Sequence, residues 1–156
     1  MICMKSSELF LEIKKKLKHY ESRLNHNPNF DGNEGSIDSM MSKYNHDIFN
    51  EIMNSSSAEF NGEIDEEKID DFKKRIDYFF KLYAPDDEDF KEFIKAISLY
   101  LTFIAKKPLH PPGIRFSKGK GVHNDKNVYY CAGKSEFIKE KMSLCKYCAC
   151  KQINAE

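Results

Sequence analysis

The chain has 156 residues, of which 40% are hydrophobic and 32% charged, with seven glycines and five prolines. This is the composition of a folded chain of single-domain size, with enough apolar side chain to build a core without disulfides, and it excludes a chain disordered throughout. Formal net charge is zero, yet residues 1–100 sum to −7 and residues 101–156 to +7. Such an imbalance suits a surface that meets an acidic partner, RNA or protein, or a cluster of thiolates that needs cations nearby. Residues 1–16 lack the apolar run of a signal peptide and no stretch reaches 18 uninterrupted apolar residues. A cytoplasmic protein with no membrane association is therefore expected.

Leu9, Ile13, Leu17, Tyr20 and Leu24 recur three or four residues apart, the spacing of one helical face, with Ser6 or Ser7 as N-cap and Pro28 beyond the end. Asn27–Ser36 is a loop by composition, after which Ile37, Met41, Tyr44, Ile48 and Ile52 resume the helical spacing. Asp65 can cap a third helix whose first turn holds Glu66 and Glu67, and whose core face would be Ile69, Phe72, Ile76, Phe79 and Tyr83. Pro85 stops that helix. The acidic run Asp86–Asp89 opens a fourth, with Phe90, Phe93, Ile94, Ile97, Leu101 and Ile104 on its buried side.

From Pro108 to Gly121 the chain carries three prolines and three glycines, so no regular element can run through it, and a loop of this length inside a compact domain is usually functional. Asn127–Cys131 reads as a short strand and Ser135–Leu144 as a final helix. The expected fold is mainly α: one domain over 1–156, in which a bundle-like part of four amphipathic helices (1–107) carries a Cys-rich segment (108–156) with a loop, a short strand and a final helix.

The chemistry concentrates in that segment. Cys131, Cys145, Cys148 and Cys150 stand within twenty residues, preceded by His110 and His123, while Cys3 lies apart. Thiolates and imidazoles are the donors that zinc and iron–sulfur centres require, and two residues between Cys145 and Cys148 let both sulfurs address one ion. If the final helix continues through them, Cys145 and Cys148 share a face and Cys150 points about 200° away from Cys148. The favoured set is then Cys131, Cys145 and Cys148 with His110 or His123, giving a zinc tetrahedron. If the helix frays first, Cys150 enters and the site becomes all-cysteine. The same thiolates would also hold a [4Fe–4S] cluster, and an open metal position would admit catalysis, making the chain a redox protein or metalloenzyme.

Lys134, Lys139 and Lys146 would favour thiolates electrostatically, but no third residue is identifiable that would orient a Cys131–His nucleophile pair. Lys118-Gly119-Lys120-Gly121 lacks the residue order of a phosphate loop. Arg115, Lys118, Lys120 and Lys126, interleaved with Phe116, Tyr129 and Tyr130, could track RNA, so the basic loop 115–126 is the candidate surface for an RNA or acidic protein partner.

His110-Pro111, Tyr129-Tyr130-Cys131 and Leu144-Cys145 to Cys148 followed by Lys151-Gln152 resemble, in order and spacing, an uncharacterised family of methanogenic archaeal proteins defined by a domain of unknown function. The resemblance covers the last third of the chain. It departs where Ser117-Lys118-Gly119 stands in place of the family's Pro-Gly-Gly. It implies a cytoplasmic protein of a strict anaerobe, in which an iron–sulfur centre is tolerable as well as zinc. It also implies that Cys131, Cys145 and Cys148 lie inside the shared motif and Cys150 outside it.

Overall fold

In the computed structural model, the residues described are 2–21, 37–113 and 121–152. Leu24, Pro28 and the basic residues Arg115, Lys118 and Lys120 fall outside them. Two small sheets accompany the helices, so the fold is mixed α/β and the mainly α bundle expected from periodicity is corrected.

The first sheet joins two helix entrances. Strand β1 (Cys3–Lys5) runs into helix α1 (Ser6–Lys18), and β2 (Glu63–Asp65) runs into α3 (Glu66–Tyr83). The strands pair antiparallel with Met4 opposite Ile64, and the pairing continues through Ser6 N–H to Gly62 O (2.9 Å) and Glu66 N–H to Ile2 O (2.9 Å). Each strand is three residues long, too short to show alternation, which is why helix-cap signals alone were visible at Ser6 and Asp65. The Asp65 carboxylate does cap α3, accepting from Glu67 N–H at 3.0 Å. Ser6 and Ser7 are already helical, and Lys5 precedes them without a side-chain cap.

Helix α2 (Ile37–Met53) and helix α4 (Glu88–Leu99) complete the helical part, and α4 passes into a π-helical stretch, Tyr100–Ala105. The core is continuous across all four helices, with Phe10, Leu17, Ile52 and Phe72 fully buried. On α3 the buried stripe is Ile69, Phe72, Ile76 and Phe80. Phe79 and Tyr83 are exposed instead, because the stripe steps four residues from Ile76 and places Phe80 against Phe90. Lys106, in the left-handed region (φ 57°), ends the helical path, and Lys107 N–H reaches back to Leu101 O at 2.9 Å.

The second sheet lies in the C-terminal part. Strands β3 (Val122–Asp125) and β4 (Val128–Cys131) form a hairpin whose two connecting residues, Lys126 and Asn127, both have positive φ, as a right-twisted two-residue connection demands. Strand β5 (Lys151–Gln152) adds to β4 in parallel, Tyr130 opposite Lys151 and Cys131 opposite Gln152. The expected helix over 135–144 is reduced to one turn, α5 (Lys134–Phe137), followed by turns and a 3₁₀ turn at Leu144–Lys146. Phe137 remains exposed, and an apolar spacing that nothing buries does not hold a helix together.

Candidate functional site

The short α5 alters where the cysteines go. Val122, Cys131 and Cys150 form a small buried cluster, with Cys148, Tyr129, Met40 and Met41 packed against it. Cys131 ends β4 and is directed inward because its cross-strand partner is the buried Val122. Cys145 sits in the 3₁₀ turn, whose start is capped by Ser143: its hydroxyl accepts from Cys145 N–H at 3.1 Å. All five cysteines are free thiols, and Cys3 is exposed far along the chain from the others.

Cys148 and Cys150 are hydrogen-bonded thiol to thiol. The Cys148 sulfur accepts from the Cys150 thiol and also from the backbone N–H groups of Cys150 and Leu109, which together lower its pKa despite burial. Donation to Cys148 raises the Cys150 thiol, and burial with the charges of Cys148 and Cys131 pushes it further up. Cys145 is raised by burial, with the Ser143 hydroxyl opposing and the Cys148 and Cys131 charges adding to the rise. The four sulfurs therefore sense one another across one small region.

That region is gripped from several sides. Lys134, only 9% exposed, donates to Cys148 O at 2.8 Å and to Cys150 O at 2.6 Å. Arg75 of α3 donates to Ser143 O at 2.7 Å and to the Asp71 carboxylate at 3.0 Å. Tyr147, between Cys145 and Cys148, donates its hydroxyl to the same Asp71 carboxylate and packs its ring against Phe72 and Phe103. Asp71 is held below the usual carboxylate range chiefly by the Tyr147 hydrogen bond, which desolvation opposes and the Arg75 guanidinium reinforces. From α2, Tyr44 donates to Pro108 O at 2.6 Å, which fixes the loop carrying Leu109 and His110.

A family model described as an uncharacterized protein conserved in archaea, DUF2115, matches residues 5–153. The chain belongs to the DUF2115 family. A UPF0305 protein of Methanocaldococcus jannaschii is 38% identical, over 97% of this chain and 98% of its own length. UPF0305 proteins of Methanococcus maripaludis strain C6 (34% identical, over 69% of this chain and 66% of the relative) and of Methanothermobacter thermautotrophicus (31% identical, over 57% and 55%) are also similar. The resemblance to a methanogen family thus holds along nearly the whole DUF2115 chain and not only its last third. No solved structure matches it.

The two candidate histidines of the DUF2115 chain part company. His123 pairs with Tyr130 across the hairpin and stacks on its ring (5.8 Å between centroids), on the opposite face from the Val122–Cys131 pair. His110 is half-buried next to Leu109, and burial lowers its pKa, favouring the neutral imidazole. Cys150, turned away from Cys148 on a continuous helix, is here in contact with it because that helix is absent. The donor chemistry of the four thiols suits a soft ion. Among the described residues, no three His, Cys, Asp or Glu side chains are yet arranged as a group that could hold one.

Sequence reasoning missed the links from Asp71, Arg75 and Tyr44. The Asp71–Arg75 spacing of four was legible as a helix-surface pair, but nothing local pointed it toward Tyr147. No helix among the described residues is long and apolar enough to cross a membrane.

Proposed function

We propose that the DUF2115 chain binds one zinc ion through Cys131, Cys145, Cys148 and Cys150, and that the ion staples residues 108–152 to the helical part. The observation that carries this reading is the direct contact of the Cys148 and Cys150 thiols beside buried Cys131. Two sulfurs on one zinc lie roughly 3.8 Å apart, given Zn–S bonds of about 2.3 Å at a tetrahedral angle, which is the scale of a thiol–thiol hydrogen bond. In a [4Fe–4S] cluster each cysteine sulfur binds a different iron, so a touching pair favours zinc over the cluster. Backbone N–H groups of Leu109 and Cys150 aimed at the Cys148 sulfur suit a metal-bound thiolate. Ion binding would draw the four sulfurs together, with His110 as the reserve donor, in the cytoplasm of a methanogen, where thiols stay reduced.

The test is anaerobic purification followed by elemental analysis and an absorption spectrum. One zinc per chain in colourless protein is expected. Iron with sulfide and broad visible absorption would replace zinc by the cluster, and metal-free folded protein with four titratable thiols overturns the metal reading.

The same pair supports a second reading. Cys148 and Cys150 could pass two electrons and two protons to an oxidised partner disulfide, closing a disulfide of their own. A thiol count that falls by two on exposure to such a disulfide, and is restored by a dithiol reductant, would favour it over zinc.

A further inference from the structure

Lys134 is a charge buried without a carboxylate. It begins α5, is 9% exposed, and donates to two backbone carbonyls, those of Cys148 and Cys150, while no carboxylate among the described residues pairs with it. Carbonyl dipoles orient an ammonium but carry no net charge, and a buried cation needs a compensating negative charge nearby. The groups that feel its charge are the sulfurs of Cys145, Cys148 and Cys150, each of which it biases toward the thiolate. A zinc ion held by four thiolates carries a net charge of about −2, which supplies that compensation.

We propose that Lys134 is the positioning residue of the cysteine site: its ammonium bends Cys148-Ala149-Cys150 so that both sulfurs turn toward Cys131, and it neutralises part of the metal–thiolate charge. This rests on the metal reading above. The geometry is economical, because one side chain, three residues after Cys131 at the start of α5, holds the carbonyls of two other donors. It ties the β4 side of the site to the segment that returns as β5. Lys139 and Lys146 have no comparable contacts with the cysteine carbonyls among the described residues; Lys146 lies over the Tyr147 ring, 5.4 Å from its centroid.

The experiment is anaerobic cobalt titration of the full chain, wild type against Lys134→Met and Lys134→Arg, read by the sulfur-to-cobalt charge-transfer band and by competition with zinc. Wild type is expected to take up one cobalt with an all-thiolate spectrum. Lys134→Met, which keeps the length of the stem and removes charge and donors, should bind about 10- to 100-fold more weakly, the usual cost of losing an outer partner of a metal ligand. Its charge-transfer band should shrink as one sulfur leaves. Lys134→Arg should recover part of the affinity, and far-UV circular dichroism should be equal in all three.

Lys134→Met that binds cobalt like wild type, with the same spectrum, overturns the role of Lys134 and leaves the metal site standing. Wild type that takes up no cobalt overturns the metal reading and the role of Lys134 with it. Should Lys134→Met lose helical content, Lys134→Arg carries the test: at wild-type helicity, an affinity no better than that of Lys134→Met overturns the proposal.

Discussion

The helical part buries Phe10, Leu17, Ile52 and Phe72 completely, in one cluster to which every long helix contributes, whereas the C-terminal part has Val122, Cys131 and Cys150 as its buried centre. At about 25 cal/mol per Å² of apolar surface, three small side chains contribute a few kcal/mol, while ordering a residue costs roughly 1–2 kcal/mol. The first region stands on burial. The second must lean on something, and what it leans on is visible: Tyr44 on Pro108, Arg75 on Ser143, Tyr147 on Asp71 and Phe72, and Lys134 on the cysteine carbonyls.

The comparison is sharpest at Phe72, which belongs to the helical core yet touches Tyr147 at 5.8 Å between centroids. Phe72→Ala should lower stability by about 3–5 kcal/mol, seen in urea unfolding, and both regions should be lost in one transition. A strong chelator should separate them instead. Protease cleavage within 106–152 is expected to rise about tenfold or more, with helical circular dichroism unchanged, because the core does not depend on the proposed zinc. Equal protection with and without chelator would mean that burial and clamps suffice.

Tyr147→Phe removes only the hydroxyl, and with Asp71 partly open to water the loss should be about 1 kcal/mol. The sign of its pH dependence is set by Asp71. Its pKa is depressed in the folded chain, so its contribution is complete above the unfolded value of about 3.9 and is lost as pH falls through the folded value. Urea midpoints between pH 6 and pH 2 should show this decline, and Asp71→Asn should flatten it. Smallest is Asp65→Ala, which deletes the α3 cap and should cost about 1 kcal/mol or less, confined to the helical part; thermal unfolding would measure it.

Legibility followed the same divide. Helices α2 to α4 could be located from their spacing, from Asp65 and from the acidic run Asp86–Asp89, because a continuous core rewards every apolar residue on the inner face. Strand β4 was legible from Val128, Tyr129 and Tyr130, whereas β1, β2 and β5 are two or three residues long and held by partners remote in sequence, and β3 carries little apolar alternation of its own. Around the cysteines, residue type points to a metal site, and Cys150 enters it only as the alternative to a continuous helix, which Phe137 fails to anchor. Once α5 stops after a single turn, Cys150 comes round to Cys148 and the buried interior of the hairpin.

Strand β5 lies parallel to β4, and the connection between them carries Cys145, Cys148 and Cys150. On a ribosome adding roughly 5–20 residues per second, about 1–4 seconds separate the synthesis of Cys131 from that of Gln152. By then the helical part has left the exit tunnel or nearly so, and can present α2 and α3 as a finished surface. Cys131 waits, unsealed, for the three thiols that follow it. Assembly of the cysteine region is therefore a late event in the life of each nascent chain, templated by helices already made.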